Sequence, residues 1–160
     1  MIPTQVAMVQ SDLIALRLPS IYFIHVQNFS ACYVGQTRMG LGPMGRLQQH
    51  LSQGQSNTFR QRICRVFGYE EVDLRGITFI AIPLVDDPRF MTSKSEYRLA
   101  VEYLVQQKVL SILGSRTTSP RLISRVTSSA YGMQPFIIKE ANRIIDQFRE
   151  HLEEILLSYN

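Results

Sequence analysis

The sequence predicts an α/β fold: a small three-stranded antiparallel sheet flanked by helices, with a C-terminal helical extension. Three observations carry this. Short runs rich in β-branched and aromatic residues, at 21–26, 31–36 and 77–84, are separated by turn-forming or helical segments. Apolar residues recur one helical turn apart over 43–53, 58–67 and 96–110. A chain of 160 residues suffices for one domain with a real core, but not for that core plus a large second domain.

Taken in order, residues 1–18 form an N-terminal arm or short helix, with Val6, Val9, Leu13 and Leu16 at mixed helical spacing until Pro19 ends it. Ile21–Val26 and Ala31–Gln36 then read as a β-hairpin around Gln27-Asn28-Phe29-Ser30. Pro43 suits the first turn of a helix that Gly54 ends. Thr58–Phe67 is a second helix, with Phe59 and Ile63 inward and Arg60, Arg62 and Arg65 outside. Ile77–Leu84 is nearly continuous in apolar residues and therefore reads as the buried strand. Ser93-Lys94-Ser95-Glu96 has the form of a capping box, opening a helix that runs to about Leu110.

Residues 113–134 are rich in Ser, Thr and Arg and read as a basic linker between a core at 19–112 and an amphipathic helix at 135–160. On that helix Ile137, Ala141, Ile144, Phe148, Leu152 and Ile155 form one apolar stripe. The stripe suits packing onto its own domain or, being long, a homodimer through the C-terminal helix.

Composition narrows the function. A hydrophobic fraction of 45% with 19% charged residues is that of a folded globular protein. The net charge of +4 is modest, but no Asp or Glu occurs between Asp12 and Glu70, where Arg17, Arg38, Arg46, Arg60, Arg62 and Arg65 lie. A second acid-free stretch, Tyr103 to Lys139, holds Lys108, Arg116, Arg121 and Arg125. Such surfaces suit a polyanion, since each neutralised phosphate releases condensed counterions. Cys32 and Cys64 have neither metal-ligand nor redox spacing, and no apolar run approaches a membrane span. The expectation is a soluble cytoplasmic protein whose partner is DNA, with no membrane.

Chemistry concentrates near the hairpin. Tyr22 ends the tripeptide Ser20-Ile21-Tyr22, Tyr33 begins Tyr33-Val34-Gly35, and Gln36-Thr37, Arg46 and His50 follow. Ten residues, 23–32, separate the tyrosines, enough to complete one strand, turn, and start its antiparallel neighbour, which brings the phenols together. This constellation resembles the GIY-YIG nuclease superfamily over residues 19–112. Ser20 stands where that family usually has glycine and Val34 where it has isoleucine, and no asparagine follows the third helix before Asn142.

Hydrolysing a phosphodiester needs an activated water, a Lewis acid and a cation on the non-bridging oxygens. The resemblance implies that Tyr22 contacts the attacking water and Tyr33 orients the phosphate or the water. Arg46, able to hold two phosphate oxygens, is the candidate cation, with Arg38 its competitor; His50 shares its helical face and can hold the phosphate or relay a proton. His25, on the opposite strand face, reads as a core or surface residue. The metal ligand is Glu96 or Glu102. Glu96 is already explained as part of the capping box, whereas Glu102 lies between Leu99 and Val105, where a carboxylate is costly without a partner.

The expected cofactor is Mg²⁺ or Mn²⁺ on Glu102, and the expected DNA contacts are Gln36, Arg38, Arg60, Arg62, Arg116 and Arg121. The expected function is a Mg²⁺-dependent DNA endonuclease, of the restriction type or of the repair or mobile-element type. The competing reading is a non-catalytic nucleic-acid-binding or assembly module, which loss of Tyr22, Arg46 or Glu102 would mark.

Overall fold

Ser20–Val26 (β1) is buried at each of its seven positions and forms the axis of the molecule. The computed structural model describes residues 16–38, 40–52, 57–69, 72, 74, 76–84, 87–92, 96–114, 120–125 and 128–159. The N-terminal segment 1–15, Gly54, the cap at 93–95 and Arg116 lie outside the described residues.

A 3-10 turn, Gln27–Phe29, reverses the chain, with Ser30 in the left-handed region at φ 45°. Ala31–Gln36 (β2) then pairs antiparallel with β1, setting Tyr22 opposite Gly35 and Ile24 opposite Tyr33. Gly42–Leu51 (α1) and Thr58–Phe67 (α2) follow, the first with proline in its opening turn, the second capped by the Asn57 side chain, which accepts from the Arg60 N–H. Ile77–Pro83 (β3) returns antiparallel along the other side of β1. Glu96–Leu113 (α3) precedes a two-residue strand, Arg121–Leu122 (β4), and Pro135–Ser158 (α4) completes the chain.

The sheet therefore differs from expectation. It has four strands in the order β3-β1-β2-β4, and β4 runs parallel to β2, making it mixed rather than three-stranded and antiparallel. The added strand comes from the stretch expected to be linker. It is held by the Arg121 N–H to Ser30 O and the Ile123 N–H to Cys32 O, and Ile123 is buried in the core. The buried strand is β1 and not β3, which lies at the sheet edge and is only partly covered at most positions. Its apolar run reflects helices covering both faces: Ile82 joins the layer under α3 and α4, while Phe79 and Ala81 pack with the layer of α2.

Alternation along β1 divides the core in two. Ile21 and Phe23 meet Ala100, Val101 and Val105 of α3 and Ile137, Ile144 and Phe148 of α4. Tyr22, Ile24 and Val26 meet Tyr33, Phe59, Ile63 and Ile123 on the opposite face. All six stripe residues of α4 are buried within the chain, so this seam is satisfied in cis. The Phe148 ring centroid lies 5.7 Å from that of Phe23, at the centre of the larger cluster. Phe148→Ala is accordingly expected to cost about 3–5 kcal/mol in urea unfolding, as for a central core phenylalanine; a loss below about 1 kcal/mol would make α4 an appendage rather than part of this core.

Candidate active site

The hairpin register generates the site. Because Gly35 faces Tyr22 across the ladder, its missing side chain leaves the space the phenol occupies. A Cβ at Gly35 would stand 2.3 Å from the Tyr22 hydroxyl oxygen and 2.9 Å from Tyr33 Cε1. The glycine at the end of the second tripeptide thus admits the first tyrosine. Gly35→Ala is expected to cost about 1–3 kcal/mol or more through overpacking, and the loss should shrink in a Tyr22→Leu background, a comparison made by paired urea titrations.

The two tyrosine rings stack with centroids 6.1 Å apart and planes 21° from parallel. One turn of α1 separates Arg46 from His50, and both reach the same phenol. The Tyr22 hydroxyl lies 2.8 Å from His50 Nε2, and Arg46 Nε donates to its oxygen at 3.2 Å. The His50 ring also packs against Tyr33 and Phe59. Asn57 secures it from behind, donating to the carbonyls of His50 and Ser52 while its own oxygen caps α2. The end of α1 is therefore locked to the start of α2.

Electrostatics fix the protonation pattern. Burial and the neighbouring Arg46 guanidinium lower the His50 pKa to about 4, so the imidazole is neutral around pH 7. With Arg46 donating to its oxygen, the Tyr22 O–H is free to donate to His50 Nε2 when the imidazole proton sits on Nδ1. Burial, and secondarily Tyr33, raise the Tyr22 pKa far above the phenol range, against the opposing pull of Arg46. Tyr22 is a neutral hydroxyl here.

Glu102 approaches from α3. It interacts electrostatically with Tyr22, Tyr33, Arg46 and Arg62, which places it in one neighbourhood with the hairpin and α1. Burial raises its pKa to about 7, opposed by Arg46 and Arg62. Gln106, one turn on, donates to Glu102 Oε1 at 3.0 Å and to the Val34 carbonyl at 3.2 Å, tying the carboxylate to β2. Leu99, expected on an apolar face, is 45% exposed beside a cleft of about 260 Å³ that also admits Glu102 and Gln106. Glu96 lies at the exposed start of α3 on the same cleft.

Among the described residues no group of three or more His, Cys, Asp or Glu is placed to hold a metal. The Glu102 carboxylate, on an open cleft that Glu96 also lines, nevertheless fits Mg²⁺, which keeps most of its waters and needs few protein ligands.

Five predicted residues thus converge from β1, β2, α1 and α3: Tyr22, Tyr33, Arg46, His50 and Glu102. The expected DNA contacts are placed unevenly. Arg62 sits over the Tyr33 ring at 5.7 Å and donates to the Ile123 carbonyl. Arg60 donates to the Val72 and Leu51 carbonyls, joining α1, α2 and the chain that precedes β3. Arg38 and Arg121 are exposed, and Gln36 is half-buried at the end of β2, its Oε1 buried without a hydrogen-bond partner. His25 lies on the other face and contacts Tyr159 at 3.3 Å. Sequence reasoning passed over Gln106, whose position four residues after Glu102 was the available sign. It also passed over Ser124, which bridges β2 by accepting from the Val34 N–H at 2.6 Å and donating to the Val34 carbonyl at 2.8 Å. Comparison with protein-family models, curated proteins and solved structures finds no match.

Proposed function

We propose that this protein is a Mg²⁺-dependent endonuclease that hydrolyses phosphodiester bonds in DNA. The observation that supports it most is the gathering of Tyr33, Arg46 and His50 around the Tyr22 phenol with Glu102 within electrostatic reach, from elements up to 80 residues apart in sequence. Two phenols alone would be core packing. Two phenols with a guanidinium, a neutral imidazole and a carboxylate of raised pKa are a proton-handling site beside an anion-binding cation.

In this reading Arg46 leaves the Tyr22 oxygen to bind the non-bridging oxygens of the scissile phosphate, which uncovers a hydroxyl otherwise fully buried. The attacking water then meets Tyr22. Its proton passes to the Tyr22 oxygen as the Tyr22 proton moves to His50 Nε2, so the phenol relays a proton without becoming a phenolate. The neutral His50 is the acceptor, and the charge it gains lies against the phosphate dianion formed by cleavage. Tyr33, stacked on Tyr22 and faced by Arg62, holds the relay in register. Glu102 would hold the metal, which when bound supplies Lewis acidity toward the leaving oxygen.

The test is incubation of the purified chain with supercoiled plasmid, branched DNA and RNA, with Mg²⁺ or with chelator. The proposal predicts metal-dependent DNA cleavage that His50→Ala weakens strongly. Absence of cleavage with either Mg²⁺ or Mn²⁺ would refute it.

A further inference from the structure

The cleft beside Glu102 lies between α3 and a wall formed by Arg125 and residues 128–131. Its walls are mainly apolar, with Leu99, Tyr103 and Tyr131 among them, while Arg125, Ser128 and Ser129 bring polar groups to the same space. At about 260 Å³ it falls below the roughly 300–1,000 Å³ of pockets for drug-sized ligands or whole cofactors, and is suited to a smaller planar group.

Tyr131 is set up in an unusual way for a surface aromatic. It is 39% exposed, yet its ring is braced edge-on by Tyr97 at 5.4 Å, and Tyr97 in turn by Phe136 at 5.3 Å. Its backbone is held by a turn in which the Gly132 N–H donates to the Ser129 carbonyl and the Gln134 N–H to the Tyr131 carbonyl. An exposed ring fixed in advance loses little freedom when a flat partner stacks on it. Glu96 and Glu102 line the α3 side of the cleft, whereas the facing wall carries Arg125 and no acidic residue, so a ligand attached to phosphate meets its counter-charge at Arg125.

We infer that this cleft takes an unpaired nucleobase of the substrate strand, stacked on Tyr131 and hydrogen-bonded by the serines, next to the phosphate that Arg46 and Glu102 address. The inference rests on the nuclease reading and narrows it: the preferred substrate carries an unpaired or extruded nucleotide at the cut, as a flap, bubble or branch does. A base held there lets the enzyme recognise DNA shape without reading sequence.

The test is fluorescence anisotropy with the full chain in chelator, so that no cleavage intervenes. Three labelled DNAs are compared: a duplex with a single-stranded flap, the same duplex with abasic flap residues, and a blunt duplex. The expected result is tighter binding of the normal flap than of the abasic flap by about five- to a hundredfold, the range of one base–aromatic stack. Tyr131→Ala should erase that preference while leaving blunt-duplex affinity unchanged, and Tyr131→Phe should keep it. Equal binding of normal and abasic flaps, or an undiminished preference in Tyr131→Ala, overturns the base pocket but leaves the nuclease reading standing. Failure of all three DNAs to bind overturns both.

Discussion

Glu102→Gln is expected to abolish Mg²⁺-dependent cleavage while leaving DNA affinity nearly intact. The amide keeps the shape of the side chain and can still meet Gln106, but it carries no charge to hold a divalent ion, and the basic surfaces are untouched. The same change should stabilise the metal-free protein at alkaline pH. In the fold the Glu102 carboxyl titrates at about 7, against 4.5 when unperturbed, so the folded chain holds the proton more tightly. Its contribution to stability is complete below about 4.5 and is lost as pH rises through about 7. Glutamine never ionises. The variant should therefore gain over the parent between pH 5 and pH 8, by about 2 kcal/mol once partial exposure is allowed for, in urea titrations at the two pH values. Retained cleavage in Glu102→Gln, with loss in Glu96→Gln, would transfer the metal role to Glu96.

Tyr22→Phe carries the second large effect. The substitution deletes one hydroxyl and keeps a ring packed against Tyr33 and Phe79, so its structural cost is that of the His50 and Arg46 hydrogen bonds. Loss of a proton-transfer group typically lowers rate by about 10²–10⁴-fold, and single-turnover cleavage should show a fall of that order. A fall below tenfold would contradict the relay. Arg46→Ala should cost as much, and Arg46→Lys should restore little, because an ammonium cannot offer two parallel N–H bonds to a phosphate. Full activity in Arg46→Lys would reduce Arg46 to a simple positive charge.

The parts of this architecture that announced themselves are those with local causes. The hairpin followed from two β-rich runs and a four-residue connection, and α2 from Phe59 and Ile63 one turn apart before a glycine that adopts φ 74°. The closeness of Tyr22 to Tyr33 and of Arg46 to His50 was legible because strand pairing and one helical turn set their spacing, whereas Glu102 entered through the resemblance and its place between Leu99 and Val105. What escaped detection depended on distant chain. Arg121–Leu122 is a strand only because β2 has a free edge, and nothing in Ser/Thr/Arg-rich sequence marks two residues for pairing. The position of β3 at the edge was hidden because helices on both faces make an edge strand as apolar as a central one. The group that fills the space beside Gly35, Tyr22, is fixed by register alone. The cleft was invisible for the same reason, since it forms only where Arg125 and residues 128–131 meet α3 in the fold.

The most direct measurement is cleavage of supercoiled plasmid and branched DNA by the wild-type chain, alongside Glu102→Gln and Tyr22→Phe, each with Mg²⁺ and with chelator. The account predicts nicked or linear product from the wild type with Mg²⁺ only, none from Glu102→Gln, and slowed product from Tyr22→Phe. DNA bound but left uncut by the wild type under both Mg²⁺ and Mn²⁺ would contradict it, and would make the chain a binding module built on the same two tyrosines.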